Sequence, residues 1–287
     1  MTFRTWVVAV VAVAACVVAA PAQAQGRLPI LDVWESGKTA FGVFVPNENP
    51  APPRGQGGPP APGTPRPAPL YTREGGERLA MNPLYDYVFL NLEGSYDPDA
   101  ITAIAEGLRS PKAVGRKMLL VRIPTVEAAG AEVTRARIKE VFARGADGVT
   151  VPHVRSVEEA QLVAGFFKET GVNIWTPKNR GGDKLAMIMI EDPDALAQAA
   201  QIADTPGISI LACGIGSLTG ALKGDRVAAE AGNQAILAES KRVGLPNMLT
   251  ASPADVEKRV AEGFLALLGQ GPPAEEMIRL GRKAAGR

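Results

Sequence analysis

Short apolar runs punctuate this chain at residues 41–45, 87–92, 118–123, 148–151, 186–190, 208–213, 247–250 and 264–268. They are continuous and do not alternate with polar positions, as expected of parallel strands covered on both faces. The stretches between them change period. Ile138, Val141 and Phe142 fall on one helical face. Ser156 and Glu159 form a capping box that opens another helix, and Ser252, Pro253 and Asp255 signal a further start. Eight strands, each followed by helix-compatible sequence, spread over about 250 residues, predict an α/β fold of the (β/α)8, or TIM, barrel type. An open doubly wound sheet is the competing architecture, but no G-x-G-x-x-G follows the first strand. A barrel gathers its chemistry at the C-terminal ends of the strands. The positions of interest are therefore Pro46, Glu93, Arg122, His153, Glu191, Ser217 and Thr250.

Two segments break the pattern. Ten of the 24 prolines lie between Pro46 and Pro69, with several glycines and no apolar period. Such a stretch cannot contribute to a core, and we read 46–75 as a loop insertion after the first strand. The other segment is the N-terminus, where Arg4 is the single charge in the first 25 residues. An uncharged run of 15 residues (6–20) follows, and then Pro21-Ala22-Gln23-Ala24. This is the pattern of a secretory signal peptide cleaved after residue 24. The run is shorter than the roughly 20 residues a membrane span needs. An exported protein, periplasmic or secreted, with no membrane span after processing is expected. Lipid attachment at Cys16, through Val13-Ala14-Ala15-Cys16, is the alternative. Residues 25–40 then form a short lead, and 41–287 a single barrel domain.

Charge and cysteine content narrow the function. The 31 basic and 30 acidic residues nearly cancel, and aromatics make up 5%. A nucleic-acid binder would show a basic stripe or stacking residues, so nucleic acid is not an expected partner. Processing would leave Cys213 as the sole cysteine, reading as a buried core residue, so no internal disulfide can form.

The strand-end residues carry the remaining information. Glu191 ends an apolar strand and is either a metal ligand, an acid/base group or a helix-start charge beside Asp192-Pro193. Arg122 suits bidentate binding of a carboxylate or phosphate, or else ties loops together. Gly214-Ile215-Gly216-Ser217 lets backbone amides approach an anion, though an ordinary strand-to-helix turn needs the same glycines. His153, the one histidine, is either a general base or a hydrogen-bonded structural residue.

In order along the chain, several segments resemble the HpcH/HpaI aldolase/citrate lyase family of metal-dependent pyruvate aldolases. They are Tyr85-Asp86-Tyr87-Val88-Phe89-Leu90-Asn91-Leu92-Glu93, Val121-Arg122-Ile123-Pro124, the segment from Gly145 through Val154, Met189-Ile190-Glu191, and the segment from Gly207 to Leu218. The resemblance implies one divalent cation, magnesium or manganese, at the barrel mouth, held by Glu191 and Ser217. It implies Arg122 as the substrate-binding arginine and the Gly214–Ser217 turn as the carboxylate cradle. A small 2-oxo acid or carboxylate is the implied partner, and homo-oligomers are common in the family. Two positions depart from the family pattern. Its Asp-x-Glu-His reads Asn91-Leu92-Glu93-Gly94, which removes the base histidine, and its Gly-Pro-x-Asp-Leu-Ser reads Gly214-Ile215-Gly216-Ser217-Leu218-Thr219. The expectation is a carbon–carbon lyase in which Glu93, water or His153 handles protons. A non-catalytic barrel that binds a small carboxylate is the alternative.

Overall fold

A computed structural model describes residues 26–49 and 67–287. Residues 1–24, read above as a signal peptide, and the centre of the proline-rich insertion lie outside the described residues. Eight strands form a closed, parallel barrel in sequence order. They are β1 (Ala40–Phe44), β2 (Tyr87–Asn91), β3 (Met118–Arg122), β4 (Gly148–Val151), β5 (Leu185–Ile190), β6 (Ile210–Cys213), β7 (Asn247–Thr250) and β8 (Ala266–Gly269). Closure is completed by β1 pairing with β8, with Phe41 opposite Leu267. Each sequence-predicted run coincides with one strand, shifted by two residues at most.

Alternation along the strands splits the buried residues into two layers. Tyr87, Phe89, Leu120, Met187, Ile210 and Leu268 point into the barrel. Val88, Leu90, Val121, Ile188 and Leu211 point outward and pack under the surrounding helices with Ile104, Ile138, Phe167 and Ile236. Both faces are apolar, which is why the runs carry no period-two signal. Large and small residues are matched inside: Gly42 lies so close to the Tyr87 ring that a Cβ there would overlap it.

The lead before β1 is not extended. Pro29–Glu35 is a helix whose Leu31 and Trp34 are buried against the barrel floor. Its indole Nε1 donates to the Leu265 carbonyl at 2.8 Å, and the Trp34 and Trp175 rings stack obliquely with centroids 5.7 Å apart. The insertion is also shorter than its composition suggests. Thr72 caps a helix, Arg73–Met81, that starts inside the stretch assigned to loop. The helix expected at Ser252 begins at Val256: a turn closed by the Ser252 amide and hydroxyl, both donating to Asp255, precedes it, and Asp255 takes the N-cap position without a side-chain capping bond. The Ser156 cap is found as expected: its hydroxyl accepts from the Glu159 amide at 3.2 Å. Among the described residues no helix is long and apolar enough to cross a membrane.

The floor carries buried charge that is well matched. Asp147 accepts from Arg116 at 2.8 Å and from the Leu119 amide at 2.9 Å, one bond to each oxygen. Asp86 is clamped by both terminal nitrogens of Arg287, at 2.7 and 2.8 Å. Asp147 is buried and Asp86 partly so, and each has a donor on every carboxylate oxygen.

Candidate active site

At the opposite end the same alternation turns Asn91, Arg122 and Glu191 toward the mouth. Arg122 lies across three strands. Its Nε donates to Asn91 Oδ1 at 2.9 Å, one terminal nitrogen pairs with Glu93, and the other lies 3.9 Å from Met189 Sδ. The guanidinium is thus held in one orientation before any ligand arrives.

Glu191 follows directly after β5 and is 1% exposed. Its Oε2 accepts the His153 backbone N–H at 3.1 Å, while the buried Oε1 has no partner. Gly214 passes so close to this free oxygen that any Cβ would overlap it. A buried acceptor left unsatisfied costs about 1–3 kcal/mol, and among the described residues Glu191 supplies the one carboxylate oxygen in this state.

His153 has a backbone φ of +50°, in the left-handed region that a non-glycine residue adopts only under constraint. That turn points its N–H at Glu191. Its imidazole is ringed by acids: Nδ1 is 3.2 Å from Asp192 Oδ2, and Nε2 is 3.7 Å from both Glu93 Oε1 and Glu191 Oε2. Because an ionised carboxylate only accepts, the Nδ1–Asp192 hydrogen bond places the proton on Nδ1. Nε2 then faces the Glu93 and Glu191 carboxylates.

Arg122, Glu191, Gly214, Gly216 and Ser217 line one cavity of about 500 Å³ at the mouth. Thr250 lines it as well, and Pro46 lies outside it. Glu93 and His153 reach it through Arg122 and Glu191. Ser217 is exposed, on the short helix Ile215–Ala221 that follows β6. Cys213 is buried, and burial pushes its thiol up to about 12, in keeping with a core role.

Sequence reasoning overlooked two participants, Asn91 and Asp192. Asn91 precedes Glu93 by two residues and so shares its face; Asp192 read only as a helix-start charge.

Among the described residues, no three His, Cys, Asp or Glu side chains are grouped to hold a metal ion. The donor set is one buried carboxylate with a free oxygen and one neutral hydroxyl. Magnesium is commonly held by one or two carboxylates, with waters and substrate filling its other positions. Glu191 offers one such carboxylate oxygen, and Ser217 lines the same cavity.

Eight parallel strands closed in sequence order, with an arginine and carboxylates at their C-terminal ends, place the chain among the (β/α)8 barrels. The sequence profile of HpcH/HpaI aldolase/citrate lyase matches residues 78–264, more than half the chain, and the protein belongs to that family. Members are aldolases and citrate lyases, and the chain is an enzyme of that broad kind. An HpcH/HpaI aldolase from Desulfitobacterium hafniense DCB-2 has a similar structure, with a TM-score of 0.61 at 16% identity over 88% of this chain and 94% of that one. A family protein from Burkholderia cenocepacia J2315 gives 0.64 at 14% identity, over 89% and 96% of the chains. The protein CitE from Mycobacterium tuberculosis, solved with magnesium and acetate, gives 0.55 at 18% identity, over 87% and 91%. At these identities the likeness is one of fold. No curated protein matches the chain.

Proposed function

We propose that this protein cleaves or forms a carbon–carbon bond next to a 2-oxo acid, with an enolate as the intermediate. The observation that carries this reading is the unpartnered Glu191 Oε1, buried against Gly214 in the cavity that Arg122 also lines. Arg122, held by Asn91 and Glu93, binds the 2-oxo acid and offsets the negative charge that grows on its ketone oxygen. The Gly214–Ser217 turn takes the carboxylate. A divalent cation of the magnesium or manganese kind, held by Glu191 with Ser217, supplies Lewis-acid polarisation of the ketone when bound. In the cleavage direction a water relays the proton of the C4 hydroxyl toward Glu93 and His153, which stand behind Arg122 and Glu191, and the C3–C4 bond breaks to release an aldehyde. Its electron pair forms the enolate, which returns to the 2-oxo acid when C3 takes up a proton. Residues 1–24 support an exported setting for this chemistry, periplasmic or secreted.

Purified protein would be tested for cleavage of a 4-hydroxy-2-oxo acid to pyruvate and for proton exchange at C3 of pyruvate, with magnesium or manganese and with chelator. Metal-dependent turnover that Glu191→Gln reduces about 100-fold or more, on the scale of losing one transition-state charge contact, supports the proposal. Metal-independent or absent turnover, with Glu191→Gln inert, overturns it.

A second reading, a non-catalytic carboxylate binder, draws on the surroundings of Gly94. A Cβ there would meet nothing within 4 Å, so no steric demand explains the missing histidine. On that reading Gly94→His combined with Ser217→Asp creates turnover that the natural chain lacks.

A further inference from the structure

The cavity is far larger than pyruvate requires, and its two halves differ in character. At about 500 Å³ it falls within the range of roughly 300–1,000 Å³ typical of sites for drug-sized molecules. One half holds Arg122 and Glu191. The side opposite β3 and β5 in the strand order, over the ends of β7, β8 and β1, is walled by Met248, Leu268 and Phe44. Phe44 and Phe89 meet edge to face with centroids 5.2 Å apart, which fixes this wall. On the rim Thr250 and Gln270 are exposed and uncharged. Asp255, the acid on this side, is occupied by the Ser252 amide and hydroxyl, both at 2.7 Å, and by Arg259 at 3.2 Å.

Charge completes the contrast. Among the described residues lining the cavity, Arg122 is the sole cation, and it is already paired with Glu93. A substrate with a second carboxylate would place that charge against methionine, leucine and phenylalanine, with no cationic partner among the described residues to offset its desolvation.

We propose that the β7–β8 half is a subsite for an uncharged, apolar substituent. The substrate class is then a 2-oxo acid bearing an aliphatic or aromatic tail, such as the adduct of pyruvate with an apolar aldehyde, and di- or tricarboxylates are excluded. The identity of the reacting head group rests on the proposed function; the apolar subsite rests on the wall itself.

Calorimetry on the full protein with magnesium would compare pyruvate, 2-oxobutanoate, 2-oxohexanoate and phenylpyruvate with oxaloacetate and 2-oxoglutarate. Each methylene laid on the wall should tighten binding about three- to fourfold. 2-Oxohexanoate should therefore bind at least about tenfold tighter than pyruvate, and both dicarboxylates more weakly than 2-oxohexanoate. Thr250→Arg or Gln270→Arg, each at an exposed rim position, should shift the preference toward 2-oxoglutarate about tenfold by adding a second cation. A flat chain-length series, or dicarboxylates that bind as tightly as 2-oxohexanoate, overturns the subsite whatever the turnover shows. A rising series without C3 proton exchange leaves the subsite standing and removes the lyase reading. No binding of any 2-oxo acid removes both.

Discussion

The two ends of this barrel each bury a carboxylate to the same degree, and the two are treated differently. Asp147 at the floor and Glu191 at the mouth are both 1% exposed. Asp147 has a donor on each oxygen, one of them the Arg116 guanidinium. Glu191 has one backbone N–H on Oε2 and nothing on Oε1. Burial alone therefore does not separate a structural acid from a functional one. The separating quantity is the unmet hydrogen-bonding capacity, together with backbone strain at the residue that supplies the single donor.

Substitutions at the two acids should give opposite phenotypes. Asp147→Ala strands the Leu119 amide and the Arg116 charge, and should cost about 3 kcal/mol in urea unfolding with turnover per folded molecule unchanged. Glu191→Gln should move unfolding free energy by less than about 1 kcal/mol, since one weak acceptor bond is kept, while turnover falls. If Glu191→Gln proves as destabilising as Asp147→Ala, the contrast between floor and mouth collapses.

A third acid sharpens the comparison on the outer helices. Hydrogen bonds from Arg259, at 2.6 and 2.8 Å, hold the Glu230 carboxyl down to about 2. Its value in the unfolded chain is near 4.5, so the folded state favours the ionised form. The stability this contributes is complete above 4.5 and is lost as pH falls toward 2. Glu230→Gln should cost about 1–2 kcal/mol at pH 7, and acid titration of unfolding should show the difference from the natural chain shrinking through that window.

The smallest effect should come from strain. At φ +50° a glycine is at ease where alanine is not, so His153→Gly should be more stable than His153→Ala by about 1 kcal/mol. Equal stabilities would mean that the left-handed turn is not constrained by Glu191.

All eight strands and the strand-end positions of Arg122, Glu191 and Ser217 were legible because a doubly covered parallel strand is an apolar run with a polar stop. The helix Pro29–Glu35 was not. It is seven residues long, and its reason to exist is the barrel floor, built from residues far along the chain. The helix start at Asp255 was missed because competition between Ser252 and Asp255 for the capping role is settled by geometry. The roles of Asn91 and Asp192 were hidden for a related reason. Each acts on a side chain from another strand or loop, Arg122 and His153, and no local spacing encodes that meeting. The metal reading came from the resemblance; in the structure it reduces to one carboxylate oxygen without a partner.

The helix that seats Leu31 and Trp34 under the barrel, with Trp175 beside it, has a consequence for traffic. Together with the inward side chains that fill the barrel, it leaves the mouth cavity no exit through the floor. Under the proposed reaction, the entering acid, the departing aldehyde and any ion must queue at the same rim. The aldehyde fragment, lying over the β7–β8 wall, has to clear before its partner can be replaced, so product inhibition patterns should report an enforced order of exit.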